Sequence, residues 1–76
     1  MNEKQSIMIE LGKIYTGNEH CFRGTIKPIE INPDTNELRV ELNYQGAIWE
    51  ETWNLEHTNI GLSIGEYYEL GPDDNS

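Results

Sequence analysis

The stretch ELRVELNYQGAIWEETWNL, residues 37–55, decides the fold. In its first half Leu38, Val40, Leu42 and Tyr44 alternate with Glu37, Arg39, Glu41 and Asn43. Side chains of a β-strand point to opposite faces in turn, so this spacing predicts a strand with one apolar and one polar face. Gln45 and Gly46 form the tip of a hairpin, and Ala47 to Leu55 returns as the next strand. The register of that return is open to three readings. A two-residue loop pairs Leu42 with Trp49 and Leu38 with Trp53, placing both indoles on the apolar face and Glu51 opposite Val40. A type I turn with Gly46 left-handed gives a three-residue loop, which turns Ile48 inward and both tryptophans outward. A bulge within the strand would let one tryptophan pack inward and leave the other at a rim.

Two arguments pull against each other here. Glutamine is a poor residue where a type I′ turn needs positive φ, which favours the longer loop, whereas the apolar count favours the shorter one. Burying both indoles would also draw a carboxylate toward the core, which is costly unless that carboxylate is paired or neutral. Trp53 lies further from the hairpin tip and is expected to be the more buried, Trp49 the more accessible.

Working outward, short runs of β-branched and aromatic residues separated by Gly, Asn and Pro predict an all-β chain. Ile7 to Tyr15 reads as the first strand, with Ile7, Ile9 and Leu11 on one face until Gly12 interrupts it, and TGNEH as the turn after it. Phe22 to Ile31 reads as the second, and Pro28, which has no amide donor, should break its ladder at an edge, bulge or strand end. NPDTNE, residues 32–37, has the chemistry of a type I turn. EHTNIGLSIG, residues 56–65, reads as one turn of 3₁₀ helix. Glu66 to Leu70 reads as the closing strand, its two tyrosines on opposite faces. The expectation is a small five-stranded antiparallel barrel or strongly bent sheet over residues 7–70, between a flexible N-terminus (1–6) and a flexible acidic tail (71–76).

The order of four strands, a short helical turn and a final strand resembles that of small SH3-like barrels, with the hairpin from Tyr44 to Ala47 in the place of their distal hairpin. The resemblance spans Ile7 to Leu70 and rests on element spacing. The Ala-Leu-Tyr-Asp-Tyr type of motif found in peptide-binding SH3 domains is absent, and the loop after the first strand is short, as in Tudor-like or Sm-like barrels. Barrels of this kind often bind nucleic acid through aromatic rings beside a basic groove. Only Lys13, Arg23, Lys27 and Arg39 lie in the body of this chain, so its field repels phosphates and direct nucleic-acid binding is not expected.

The charge balance points the other way. Among 76 residues, fourteen acidic against five basic give a formal charge of −9, spread along the chain. Such a field keeps a small protein soluble and favours cationic partners. Cys21 is the one cysteine and has no partner for an internal disulfide; it is expected as a small buried or half-buried apolar residue. No apolar run approaches the roughly 18 residues that span a bilayer. MNEKQSIMIELGK lacks the pattern of a signal peptide, and the expected setting is the cytoplasm without membrane association.

Catalytic chemistry finds no foothold. Ser6, Ser63 and Ser76 lie outside any sharp Gly-flanked elbow. His20, Cys21 and His57 lack zinc-site spacing, and no phosphate-cradling loop, dinucleotide fingerprint or Mg²⁺ motif is present. No enzyme activity, metal or cofactor is expected. The expected function is that of a small acidic interaction protein, monomeric or weakly self-associating, that docks on a basic protein or peptide surface as inhibitor or accessory subunit. A partner's nucleic-acid-binding site is one place for it to dock. Trp49, Glu50, Tyr44, Glu41 and Glu51 are the expected contact residues, since a large ring beside carboxylates suits a desolvated cationic side chain. The alternative is an aromatic-pocket reader of a small ligand or modified cationic residue, built from some of Tyr15, Phe22, Tyr44, Trp49, Trp53, Tyr67 and Tyr68.

Overall fold

The computed structural model describes residues 8–73. Gln45 and Gly46 take φ values of 52° and 89°, so both central residues of the hairpin turn are left-handed, as a type I′ turn requires. This selects the two-residue loop. Strand β3 (Glu37–Tyr44) and strand β4 (Ala47–Asn54) pair antiparallel along their full length, Leu42 with Trp49, Val40 with Glu51 and Leu38 with Trp53. Glutamine in the left-handed region costs of the order of 1–3 kcal/mol, and the packing of the apolar row outweighs that preference. Leu38, Val40 and Leu42 are 0%, 0% and 1% exposed.

Around this hairpin lie β1 (Lys13–Gly17), β2 (Thr25–Asn32) and β5 (Tyr67–Pro72), with helix α1 (Leu55–Ile64) between β4 and β5. The five strands form one antiparallel sheet in the order β4-β3-β2-β1-β5. That sheet is not closed, for β4 and β5 are its edges. The β2–β3 register shifts between Pro28 and Glu30, where the missing amide of Pro28 was expected to break the ladder. β1 reaches β2 only at Thr25 and Ile26, so Pro28 lies where β2 has a single strand neighbour.

Several expected boundaries move. The first strand begins at Lys13 and not at residue 7, because the left-handed Gly12 (φ 83°) turns the chain before it. Ile9 is nonetheless buried, its N–H donating to Asn59 Oδ1 at 2.8 Å, while Leu11 is exposed; Ile7 lies outside the described residues. The second strand starts at Thr25. At the other end β5 runs on to Pro72, Asp73 N–H donates to the Gly12 carbonyl at 2.9 Å, and Lys27 Nζ lies 3.0 Å from the Asp73 carboxylate. The described structure thus runs three residues beyond Leu70 to Asp73, and residues 1–6 and 74–76 of the expected tails lie outside the described residues. Cys21 is exposed, not buried.

The largest correction concerns residues 55–64, which form a ten-residue α-helix where one 3₁₀ turn was expected. Gly61 and the β-branched Thr58, Ile60 and Ile64 lower its intrinsic propensity. The helix is held by its ends. Asn36, left-handed at φ 60° in the β2–β3 turn, accepts Leu55 N–H at its carbonyl (3.0 Å) and Glu56 N–H at Oδ1 (2.9 Å). Asn54 Oδ1 accepts His57 N–H at 2.9 Å. Two asparagines thus satisfy three of the amides that a helix start leaves without intrahelical partners. At the other end Gly65, left-handed at φ 88°, lets Glu66 N–H close back on the Gly61 carbonyl at 2.8 Å. Leu55 and Leu62 join Ile9, Tyr15, Ile26, Leu38, Val40 and Leu42 in the core.

Candidate functional site

Residues opposite one another in a sheet share a face, so Trp49, Glu51 and Trp53 lie on the same inner face as Leu42, Val40 and Leu38. A carboxylate in the middle of such a row would be expensive if left alone. Glu51 is not alone: Trp49 Nε1–H donates to its Oε2 at 2.9 Å, and Trp53 Nε1–H to its Oε1 at 2.8 Å. These two donors, Trp53 first, hold the Glu51 carboxyl below the ordinary glutamate range. The group is also exposed, so water completes its solvation. The cost foreseen from the sequence, a carboxylate on the core face, is offset by bonds that also give both indole N–H donors a partner.

Aromatic rings continue the row in both directions. Phe22 stands edge-on to Trp49 with ring centres 5.9 Å apart, and its ring centre lies 6.1 Å from that of Tyr44. Beyond Glu51 the Trp53 and Tyr67 rings are 5.7 Å apart and tilted by 34°. Helix α1 can lie close to this second pair because Gly61 has no Cβ; a methyl there would come within 2.6 Å of Tyr67 Cδ2. The helix contacts β5 and β4, and among the described residues Trp49 and Tyr44 at the hairpin end of the inner face remain exposed. Trp49 is 37% and Tyr44 42% exposed, whereas Trp53 and Tyr67 are half-buried against the core. The expected ranking of the two indoles agrees with this.

The expected contact residues divide between the two faces of the sheet. Tyr44, Trp49 and Glu51 share the inner face. Glu41 and Glu50 pair with each other on the outer face, where Arg39 bonds Glu50 and also reaches Glu30 at 3.1 Å. One flat partner surface therefore does not cover all five. Phe22, Trp53 and Tyr67 belong with the inner-face group; they were not among those five, but all three were among the rings named for the alternative aromatic pocket. Trp53 was legible, since it follows Glu51 by two residues on a strand; Phe22 and Tyr67 come from β1–β2 and β5 and are brought in only by the sheet order. Tyr15 is core, its hydroxyl accepting Glu10 N–H at 3.0 Å, and Tyr68 is exposed.

His20, Cys21 and His57 are exposed, and no group of three or more potential metal ligands occurs among the described residues. Ser63 Oγ donates to the Asn59 carbonyl within α1 at 3.2 Å. Lys13, Lys27 and Arg39 each lie against carboxylates of this chain, Lys13 at 3.4 Å from both Glu10 and Glu69. Among the described residues no helix is long and apolar enough to cross a membrane.

Comparison with protein-family models, with curated proteins and with solved structures returned no match.

Proposed function

We propose that this is a non-enzymatic interaction protein that takes a cationic partner on the open half of the inner face, as an inhibitor or accessory subunit. The observation that carries this reading is the ionised Glu51 carboxylate held between the indole N–H groups of Trp49 and Trp53. Each carboxylate oxygen retains acceptor capacity after one indole bond. A guanidinium or ammonium group set over the row would meet that charge and the faces of neighbouring rings together. The chain's charge of −9 would steer it there, all the more because Lys13, Lys27 and Arg39 are already engaged within the chain. A basic nucleic-acid-binding groove on another protein would present such cations in a row.

The finer reading of the fold belongs to the same proposal. The meander from β1 to β4, with β5 returning to β1, supports an SH3-like arrangement left open at β4 and β5. A reducing, cytoplasmic setting fits the lone exposed Cys21, and the repulsion between like-charged chains fits a monomer or weak oligomer.

The test is a titration with oligoarginine, and with oligoglutamate as control, followed by indole fluorescence at low and high salt. Binding of oligoarginine alone, weakened by salt and by both Glu51→Gln and Trp49→Ala, is the expected result. Binding that ignores both substitutions, or none at low salt, would overturn the reading. Binding that depends on the rings but not on salt would favour the reader of a small cationic ligand.

A further inference from the structure

The two edges of the sheet are built differently. β5 carries Gly71 and Pro72, and its ladder with β1 is interrupted by a register shift between Ile14 and Tyr15. Proline, bulges and lysine are the usual ways in which an edge is kept from pairing with another chain. β4 lacks these three: AIWEETWN contains no proline, glycine or lysine, and it pairs with β3 over eight residues without a shift, so its edge is guarded only by the charges of Glu50 and the inward-facing Glu51. All of its residues except Trp53 are exposed, Ile48 at 60%. Among the described residues no strand covers its outer side.

The hairpin sets which main-chain groups face that open side. In a two-residue turn the flanking residues form a hydrogen-bonded pair, here Tyr44 with Ala47, and such pairs then alternate along the ladder. Trp49, Glu51 and Trp53 therefore spend their amides and carbonyls on β3, while those of Ile48, Glu50 and Thr52 point outward. Midway along this template Glu51 presents a carboxylate on the inner face, and on the outer face Glu50 stands opposite Glu41 with Arg39 bonded to Glu50 and Glu30, three carboxylates around one guanidinium. A second copy of the chain is a poor occupant. Antiparallel pairing of β4 with itself about its centre sets Glu50 opposite Glu50, or Glu51 opposite Glu51, of the copy, and like charges directly opposite are destabilising.

From this we infer that β4 is a strand-addition site for an extended cationic segment of the partner, whose adjacent basic residues divide between Glu51 on one face and Glu50 on the other. The inference rests on the proposed docking of a basic partner and specifies how its main chain is held. Backbone pairing supplies affinity without reading sequence, and the two carboxylates select a segment with consecutive basic residues. An anionic or self-complementary strand is rejected by the same charges that select the cationic one.

The probe is a blocked octapeptide of alternating threonine and valine around a central pair of arginines, with a glutamate-centred twin as control. On binding the arginine peptide, the amides of Ile48, Glu50 and Thr52 should slow in hydrogen exchange by about tenfold or more, while the glutamate twin leaves them unchanged. N-methylation of alternate peptide amides should abolish binding in one phase and be tolerated in the other. Because the protein itself is unaltered, misfolding cannot mimic either result. Binding of the peptide, or of oligoarginine, with indole changes but no protection at these three amides would overturn strand addition and leave the docking proposal standing. Equal binding by both N-methylated phases would also overturn strand addition. Binding of neither probe at low salt would overturn both.

Discussion

β3 and β4 are neighbouring strands of eight residues that pair one to one, yet they serve opposite ends. β3 has a strand on either side and buries Leu38, Val40 and Leu42 completely, so its alternation is that of a core strand. β4 stands at the edge with only one inner-facing residue, Trp53, packed against the core. Its inner row is ring, carboxylate, ring, a pattern that would be a fault in β3 and is satisfied here by the indole N–H bonds to Glu51. Position in the sheet, more than the strand pattern itself, separates the residues that hold the fold from those left exposed.

The largest expected effect tests that division directly. Leu42→Ala should cost about 2–5 kcal/mol of unfolding free energy, much of what a domain this small has. Its cross-strand partner Trp49, altered to Ala, should cost about 1–2 kcal/mol and leave a folded chain. Denaturant unfolding of both variants measures the contrast; equal losses would mean that β4 is as much core as β3.

An intermediate effect concerns the half of β4 that the helix does cover. Replacing glycine by alanine inside an exposed helix ordinarily stabilises by about 1 kcal/mol. Gly61→Ala should instead destabilise by about 1–3 kcal/mol, because its methyl would meet the Tyr67 ring that packs on Trp53. A rise in melting temperature would show that Tyr67 moves away freely and that the Trp53–Tyr67 contact is not needed.

The smallest expected effect lies in the pH response at the centre of β4. The folded-state pKa of Glu51 is lowered by its two indole donors, Trp53 first. Whatever stability it lends is therefore present above the unfolded glutamate value and is lost as pH falls through the lower folded value. Acid titration of indole fluorescence should show a transition below the ordinary glutamate range that is missing in Glu51→Gln. A transition at the ordinary value, or one retained in the variant, would place the effect elsewhere.

The β3 strand was readable to its ends because burial on one face imposes a period of two over eight residues. Pro28 announced the ladder break because a missing donor acts locally. The tryptophans' register was not readable, since Gln45 argues for one loop and the row of apolar side chains for another, and the cost of a left-handed glutamine is small beside a buried row. Helix α1 was hidden for a related reason. Gly61 looks like a helix breaker until Tyr67 is seen against it, and Asn36, which caps two of the first amides, is separated from Glu56 by twenty residues of chain.

Local sequence chemistry was enough for an acidic chain of mostly β character, a hairpin at Gln45 and Gly46, a core row in β3 and a lone cysteine, because charge, alternation and turn chemistry act over a few neighbouring residues. Tertiary structure alone decided that β4 and β5 are edges, that Phe22 and Tyr67 join the tryptophans, that Glu51 lies between two indole donors and that residues 55–64 are helical. Each of these depends on contacts between segments distant in the chain, whose energies exist only once the sheet order has brought them together.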